Sequence, residues 1–290
     1  MTSQPPPIPL DDAVRQVQTF WNNFSETYTA TANKRMTIQG SSSLHAHLEL
    51  DDATSVLEIG AGAGIGTMDM LSRLSTERET RVLSTDLSPE MLQRLEARIA
   101  PFHGKAKVDV ALANAQELQG LADASFDRYI ASLVLQLTPD PDAMLREAYR
   151  VLMPKGLAGF VIWGNPEHSG LFTIPSMMEK ELDIGNRGAQ HGNFALGLKL
   201  DELKAKMRKL GFSSVVSWPF LCISEKWSGE RNAEYHNQMY PLSPDQFPDD
   251  AARLAAQCQR FETMTRLSNE WLATKGMPIG LEVYLIIARK

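Results

Sequence analysis

Glu58, Gly60, Gly62 and Gly64 stand in the run TSVLEIGAGAG, where a short β-rich stretch breaks into glycines. Glycine takes positive φ without strain and lets a ligand approach the backbone with no Cβ in the way. Directly behind, MDMLSRL resumes helical spacing, and the first turn of a helix offers free N–H groups to a polar ligand. Strand, tight turn and helix make a cradle of the kind that holds a nucleotide-type cofactor. Asp86 ends the next β-rich run, in VLSTDLSPEML, where one carboxylate can accept two hydroxyl hydrogen bonds at once. A dinucleotide fingerprint needs glycine at the first, third and sixth loop positions. Counted from Gly60 the sixth position is Ile65, and from Gly62 it is Thr67, which disfavours an NAD(P)-dependent oxidoreductase.

The elements that must position these residues alternate along the chain. RVLSTDLS reads as strand and turn, PEMLQRLEARIA as helix, KVDVALAN and FDRYIASLVL as strands, DAMLREAYRVL as helix and LAGFVIW as strand. Strands alternating with helices of this length indicate βαβ units and a mostly parallel sheet with right-handed crossovers. Ahead of them, Val14, Val17, Phe20, Trp21 and Phe24 recur at helical spacing, and 35–50 reads as a second helix. After them, 199–210 reads as a helix stopped by Gly211, SSVVSWPF and EVYLIIARK as strands, and 251–274 as helical. The boundaries expected are a flexible tail over 1–10, a helical cap over 11–50 and a cofactor-binding core over 51–164. There follow a substrate-side segment over 165–198, a core helix and strand over 199–220, a helical lid insertion over 221–281 and a last core strand over 282–290.

Composition bounds the partners. The 290 residues are 43% hydrophobic and 22% charged, ordinary for a globular chain, and no stretch is apolar for long enough to span a membrane. A formal net charge of −6 argues against nucleic acid, which is held through neutralised phosphates. Two cysteines, Cys222 and Cys258, are too few for a disulfide framework or a cysteine-rich metal site. With no secretory pattern at the start, a cytoplasmic location is expected.

From Val56 to Trp163 the chain resembles the class I S-adenosylmethionine (SAM)-dependent methyltransferases, most closely the methyltransferase type 11 and ubiquinone C-methyltransferase group. Their first motif is an acidic residue followed by x-G-x-G-x-G, matched by Glu58, Gly60, Ala61, Gly62 and Gly64. The resemblance implies that Asp86, with Leu87, takes the ribose hydroxyls. ANAQEL implies an adenine contact at Asn114 and Ala115, with Asn where the family usually has Asp. SFDRYIASLVLQL places Ser132 beside the methionine part, and REAYRVLMPKG resembles the signature before the fifth strand, with Lys155 in place of its first glycine. Tyr28 and Trp21 are candidates for a cover over the cofactor. The implied fold is a Rossmann-like, doubly wound, mostly parallel seven-stranded sheet with an N-terminal helical cap and a helical insertion before the last strand. The implied reaction is methyl transfer from SAM, leaving S-adenosylhomocysteine, with no metal.

The acceptor is expected to be a small, apolar or aromatic molecule, methylated on O, S, N or C. Trp163, Phe172, Met177, Trp227, Tyr235, His236, Met239 and Tyr240 are expected to line its pocket. His168, His191 and His236 are the weak candidates for a general base, since an unperturbed imidazole titrates near pH ~6.5. A methyltransferase-like domain that binds SAM or a partner without turnover is the alternative.

Overall fold

The computed structural model describes residues 10–31, 35–185 and 190–290, so most of the expected tail lies outside it. Helix α1 (Asp12–Ala30) begins where Asp11 caps it, the carboxylate accepting the Val14 N–H at 2.8 Å. Next come α2 (Thr37–His45), β1 (Ser55–Ile59), α3 (Ile65–Leu71), β2 (Arg81–Asp86), α4 (Pro89–Ile99), β3 (Lys107–Leu112) and β4 (Phe126–Ser132). The chain continues through α5 (Pro141–Val151), β5 (Leu152–Trp163), α6 (Gly170–Glu181), α7 (Ala195–Leu198), α8 (Leu200–Leu210) and β6 (Ser214–Ile223). It closes with α9 (Gly229–Met239), α10 (Asp250–Lys275) and β7 (Gly280–Arg289).

The seven strands form one sheet in the order β3-β2-β1-β4-β5-β7-β6. The neighbours from β3 across to β5 are parallel, and β7 runs antiparallel to β5. This is the doubly wound sheet expected from the alternation. Every residue of β1 is buried because helices cover both faces of a parallel sheet. Two of the covering helices start the same way. Ser88 and Asp140 accept the N–H groups of Met91 and Ala143 from the N-cap, and Pro89 and Pro141 occupy the first turn. Their apolar faces, Met91 and Leu95 on one and Met144, Leu145, Ala148 and Val151 on the other, are buried.

Two local readings are corrected. The helix expected over 35–50 stops at His45, and Glu49 turns left-handed at φ 50°. That left-handed turn carries the chain off the helical path, and buried Arg128 donates to the backbone carbonyls of Leu48 and Glu49 at 2.5 and 2.8 Å, holding the turn in place. The stripe on α1 also divides. Val14 is buried, but Phe20 is 56% exposed and its ring meets those of Trp21 and Phe24 on the same helix.

By internal contact the chain divides into two units. Unit one holds the described residues of Met1–Trp163 together with Ala195–Phe220 and Val283–Lys290. Unit two holds Gly164–Phe194 and Leu221–Glu282. Helix α7, expected with the substrate-side segment, belongs to unit one. Within unit two, α6, α9 and α10 pack around Ile174, Met178, Ala233, Met264, Leu267 and Trp271. Gly229 starts α9 against α10, where a Cβ would stand 2.1 Å from the Thr265 carbonyl oxygen. Helices α6 and α9 escaped the sequence reading because Pro175 interrupts the first and the second is short and mostly polar.

Where the family signature has glycine, Lys155 sits at φ 67° with its side chain exposed. A left-handed residue with a Cβ costs about 1–2 kcal/mol, while glycine costs about 0.5–1 kcal/mol in lost freedom. Lys155→Gly is therefore expected to stabilise the fold by up to about 1 kcal/mol. Urea unfolding should show a higher midpoint at unchanged slope; a lower midpoint would show that the left-handed turn is not strained.

Candidate functional site

The winding of the sheet reverses between β1 and β4, so the loops leaving their carboxyl ends part and open a crevice. The crevice lies within unit one, and it leaves about 1060 Å³ of free space, part of it open to solvent. Its rim collects the ends of β1, β2, β3 and β4.

The three glycines of the first loop do three different things. All have positive φ, 64° at Gly60, 54° at Gly62 and 79° at Gly64. A Cβ on Gly60 would lie 2.3 Å from Cγ2 of Val134, so this glycine admits the β4–α5 loop. A Cβ on Gly62 would meet nothing within 4 Å, because this glycine faces the open crevice. Gly64 lies outside the crevice lining and packs on α4, where a Cβ would come within 2.5 Å of Leu95. In the structure Gly64 starts α3 and seats it on α4.

Asp86 ties the second strand to that loop. Its Oδ2 accepts the Gly62 N–H at 2.8 Å and its Oδ1 accepts the Ser88 N–H at 2.9 Å. Burial pushes its pKa up to about 6, against the lowering effect of the backbone N–H donors, and the charge of Glu58 adds to the rise. A carboxylate has about four lone-pair positions, and the Gly62, Ser88 and Leu87 backbone donors leave part of that capacity for a ligand. Glu58 lies deeper. Its Oε2 accepts from Thr67 and Ser84 at 2.7 Å each, and burial raises its pKa.

The other expected residues take their places around the same space. Ala61, Leu87, Asn114, Ala115, Ser132 and Tyr28 all line it. Asn114 accepts the Gln116 N–H at 3.1 Å through its side-chain oxygen, which leaves its amide N–H₂ as the donor. Tyr28 bonds to Thr37, and Trp21 meets its ring edge-on at 5.2 Å. Gln18 donates to the Leu87 carbonyl at 2.8 Å and so fastens α1 to the β2–α4 turn.

Sequence reading missed Thr37, Ser41, Leu133 and Val134, which also line the crevice. Ser41 shares a hydrogen bond of 2.7 Å with Ser132. Thr37 and Ser41 are four apart on α2, a polar stripe that was visible in TIQGSSS. Leu133 is held at φ 60°, a strained conformation of the kind that gathers at binding sites, and no residue spacing signals it.

The expected acceptor-side residues divide between the two units. Trp163 is buried at the end of β5, paired with Val283. Phe172, Met177, Trp227, Tyr235, His236, Met239 and Tyr240 all belong to unit two. Trp227 and Met177 are 63% and 43% exposed, and Lys226 lies over the ring of Tyr235 at 4.5 Å. Met239 is half-buried near the end of α9. The three histidines differ. His168 Nδ1 meets Glu282 Oε2 at 2.7 Å, an arrangement that orients the ring as in a general base. Burial lowers the pKa of His191, whose ring lies 5.7 Å from that of Phe172. His236 is tied to Arg260 at 3.1 Å. Among the described residues no three His, Cys, Asp or Glu side chains gather as metal ligands, and no helix is long and apolar enough to cross a membrane.

Residues 57–160 match the family model described as a methyltransferase domain of type 11. The chain is 36% identical over 108 residues to an uncharacterized protein of Mycobacterium tuberculosis, covering 37% of this chain and 36% of that one. It is 33% identical over 138 residues to a malonyl-(acyl-carrier protein) O-methyltransferase of Halorhodospira halophila, covering 47% and 42%. Thus the chain spans about two fifths or less of the length of these curated relatives. Among solved structures it is similar to the cyclase SpnF, at TM-score 0.59 and 16% identity over 98% of both chains. Residues 57–160 thus match a type 11 methyltransferase domain, and the strand order is that of the class I SAM-dependent methyltransferase fold.

The glycines give a direct check on this geometry. Gly60→Ala combines left-handed strain with overpacking against the stiff Val134, a cost of about 2–4 kcal/mol. Gly62→Ala meets open space and should cost only about 1–2 kcal/mol. Urea denaturation of both variants checks the ranking, and equal losses would show that Val134 does not crowd Gly60.

Proposed function

We propose that unit one binds SAM in the crevice and that the protein transfers its methyl group to a small molecule, releasing S-adenosylhomocysteine. The observation that supports this best is Asp86, a carboxylate fixed by backbone N–H groups beside Gly62 with acceptor capacity left toward the crevice for ribose hydroxyls. Asn114 would donate to the adenine ring, Ser132 and Ser41 would flank the methionine part, and Tyr28 and Trp21 would cover it. The family match supports the same reading. Because SpnF carries this fold under the name of a cyclase, fold alone does not decide the reaction.

A sulfonium methyl is already activated, so the protein's part is to align nucleophile, methyl carbon and sulfur and to keep water out. Orientation of that kind is worth about 7–11 kcal/mol. The reading calls on no metal, and it takes the acceptor to be apolar or aromatic.

Titration calorimetry is expected to show SAM binding, weakened at least tenfold by Asp86→Ala through loss of a charged acceptor worth about 1.5–3 kcal/mol. Labelled methyl transferred from SAM into metabolite extracts would establish turnover. Binding without any transfer would leave only the cofactor half of the proposal standing.

The pH dependence has a definite sign. Asp86 is ionised above about pH 6 and neutral below it, and the hydroxyl donors of a ribose favour the ionised form. Affinity should thus be full at neutral pH and fall as pH drops through about 6, by at most tenfold per unit. Glu58 stands behind Asp86 and is itself raised by burial, so the control is Asp86→Asn, in which the step should disappear. A flat profile for the wild type down to pH ~5 would remove Asp86 from the ribose site.

A further inference from the structure

Unit two encloses a cavity of its own, with about 1870 Å³ of free space including its open mouth. Leu171, Phe172, Met178, Leu182 and Phe247 make much of its wall apolar. Set into that wall is the guanidinium of Arg260, a residue only 6% exposed.

The placement of Arg260 is unusual for its sequence. Along α10 the buried face runs through Arg260, Thr263, Met264, Leu267 and Trp271, so arginine occupies a position where helical spacing calls for an apolar side chain. A permanently charged group buried without a counter-charge is costly. The partners it has are neutral. Nη2 donates to His236 Nδ1 and to the Tyr240 carbonyl, both at 3.1 Å, while the buried Nε has no hydrogen-bond partner. Accepting at Nδ1 requires that nitrogen to be unprotonated, and burial first, then the charge of Arg260, hold the His236 pKa down to about 4. The Glu179 carboxylate, also on the wall, adds a favourable field but makes no ion pair with Arg260 among the described residues.

We propose that this cavity binds a small amphiphile with an apolar body and a terminal carboxylate, and that the carboxylate pairs with Arg260. The walls ask for an apolar body, and the planar guanidinium matches a carboxylate. Among the described residues Arg260 is the one permanent cation on the wall, and a single carboxylate is the group it would pair. The inference concerns binding alone and stands whether or not methyl transfer is shown.

The test uses the full chain without added cofactor, titrated by calorimetry with decanoate, decanol and decyltrimethylammonium. Decanoate is expected to bind at least tenfold more tightly than decanol, and the cation not at all. In Arg260→Met, decanoate should fall to the level of decanol while decanol is unchanged. Should circular dichroism show that variant unfolded, Ala256→Trp serves instead. It sits on the wall one helical turn before Arg260, keeps the guanidinium and fills the space, and should weaken decanoate at least tenfold. Equal binding of decanoate and decanol to the wild type, no binding of either, or decanoate binding that neither variant weakens would overturn the proposal.

Discussion

The bond from the Gly62 N–H to the Asp86 carboxylate couples the ends of two adjacent strands, and the crevice of unit one depends on it. β1 and β2 run parallel in register, so the loops that leave them would otherwise be free to splay. Asp86 closes one loop onto the other, while the second oxygen holds the start of the next helix through Ser88. A half-buried carboxylate is tolerated there because backbone N–H groups solvate it in place of water. The group that secures the scaffold is thereby also aimed at a ligand's hydroxyls.

Behind it, Glu58 does the same at greater depth. Two hydroxyls, from α3 and β2, saturate one of its oxygens, which locks the first strand to the helix behind the glycine turn. The cap is tied in from the other side. His45 and Ser42 on α2 bond Asp69 on α3 at 2.8 and 2.9 Å. Burial works against the ionised Asp69, but those two donors and Arg73 hold its carboxyl well below the usual range. Unit one thus spends its buried acids on donors from its own chain, whereas the buried cation of unit two has only neutral partners.

The strands and glycines of unit one were legible because their signals are local. A five-residue β-rich run ending in alternating glycines has few other meanings, and Asp86 follows at the end of the next such run. What the sequence did not show is what depends on distant neighbours. Arg128 holds the turn after α2 through carbonyls some eighty residues away, and Phe20 remains exposed on a helix whose stripe looked continuous. Leu133 and Lys155 adopt left-handed backbone with side chains that give no hint of it. In unit two, Arg260 reads on the page as a solvated charge, and only the packing of α10 against its neighbours reveals it as buried. Periodicity names the face of a helix, but it cannot say which exceptions on that face are tolerated.

The position of β7 between β5 and β6 has a consequence for how the chain comes off the ribosome. Strands made earlier flank a gap that the final ten-residue strand must fill. Until it arrives, the edge of β5 stays unpaired along Leu157–Trp163, an almost wholly buried and apolar stretch in the finished sheet. Open edges of that kind are templates for pairing with other chains. Unit two also waits, since its two segments are separated by residues 195–220 and its second segment ends at Glu282, immediately before that pairing begins. Within residues 1–290 the segments that complete both units therefore come last and nearly together, so the β5 edge is open for as long as they are missing.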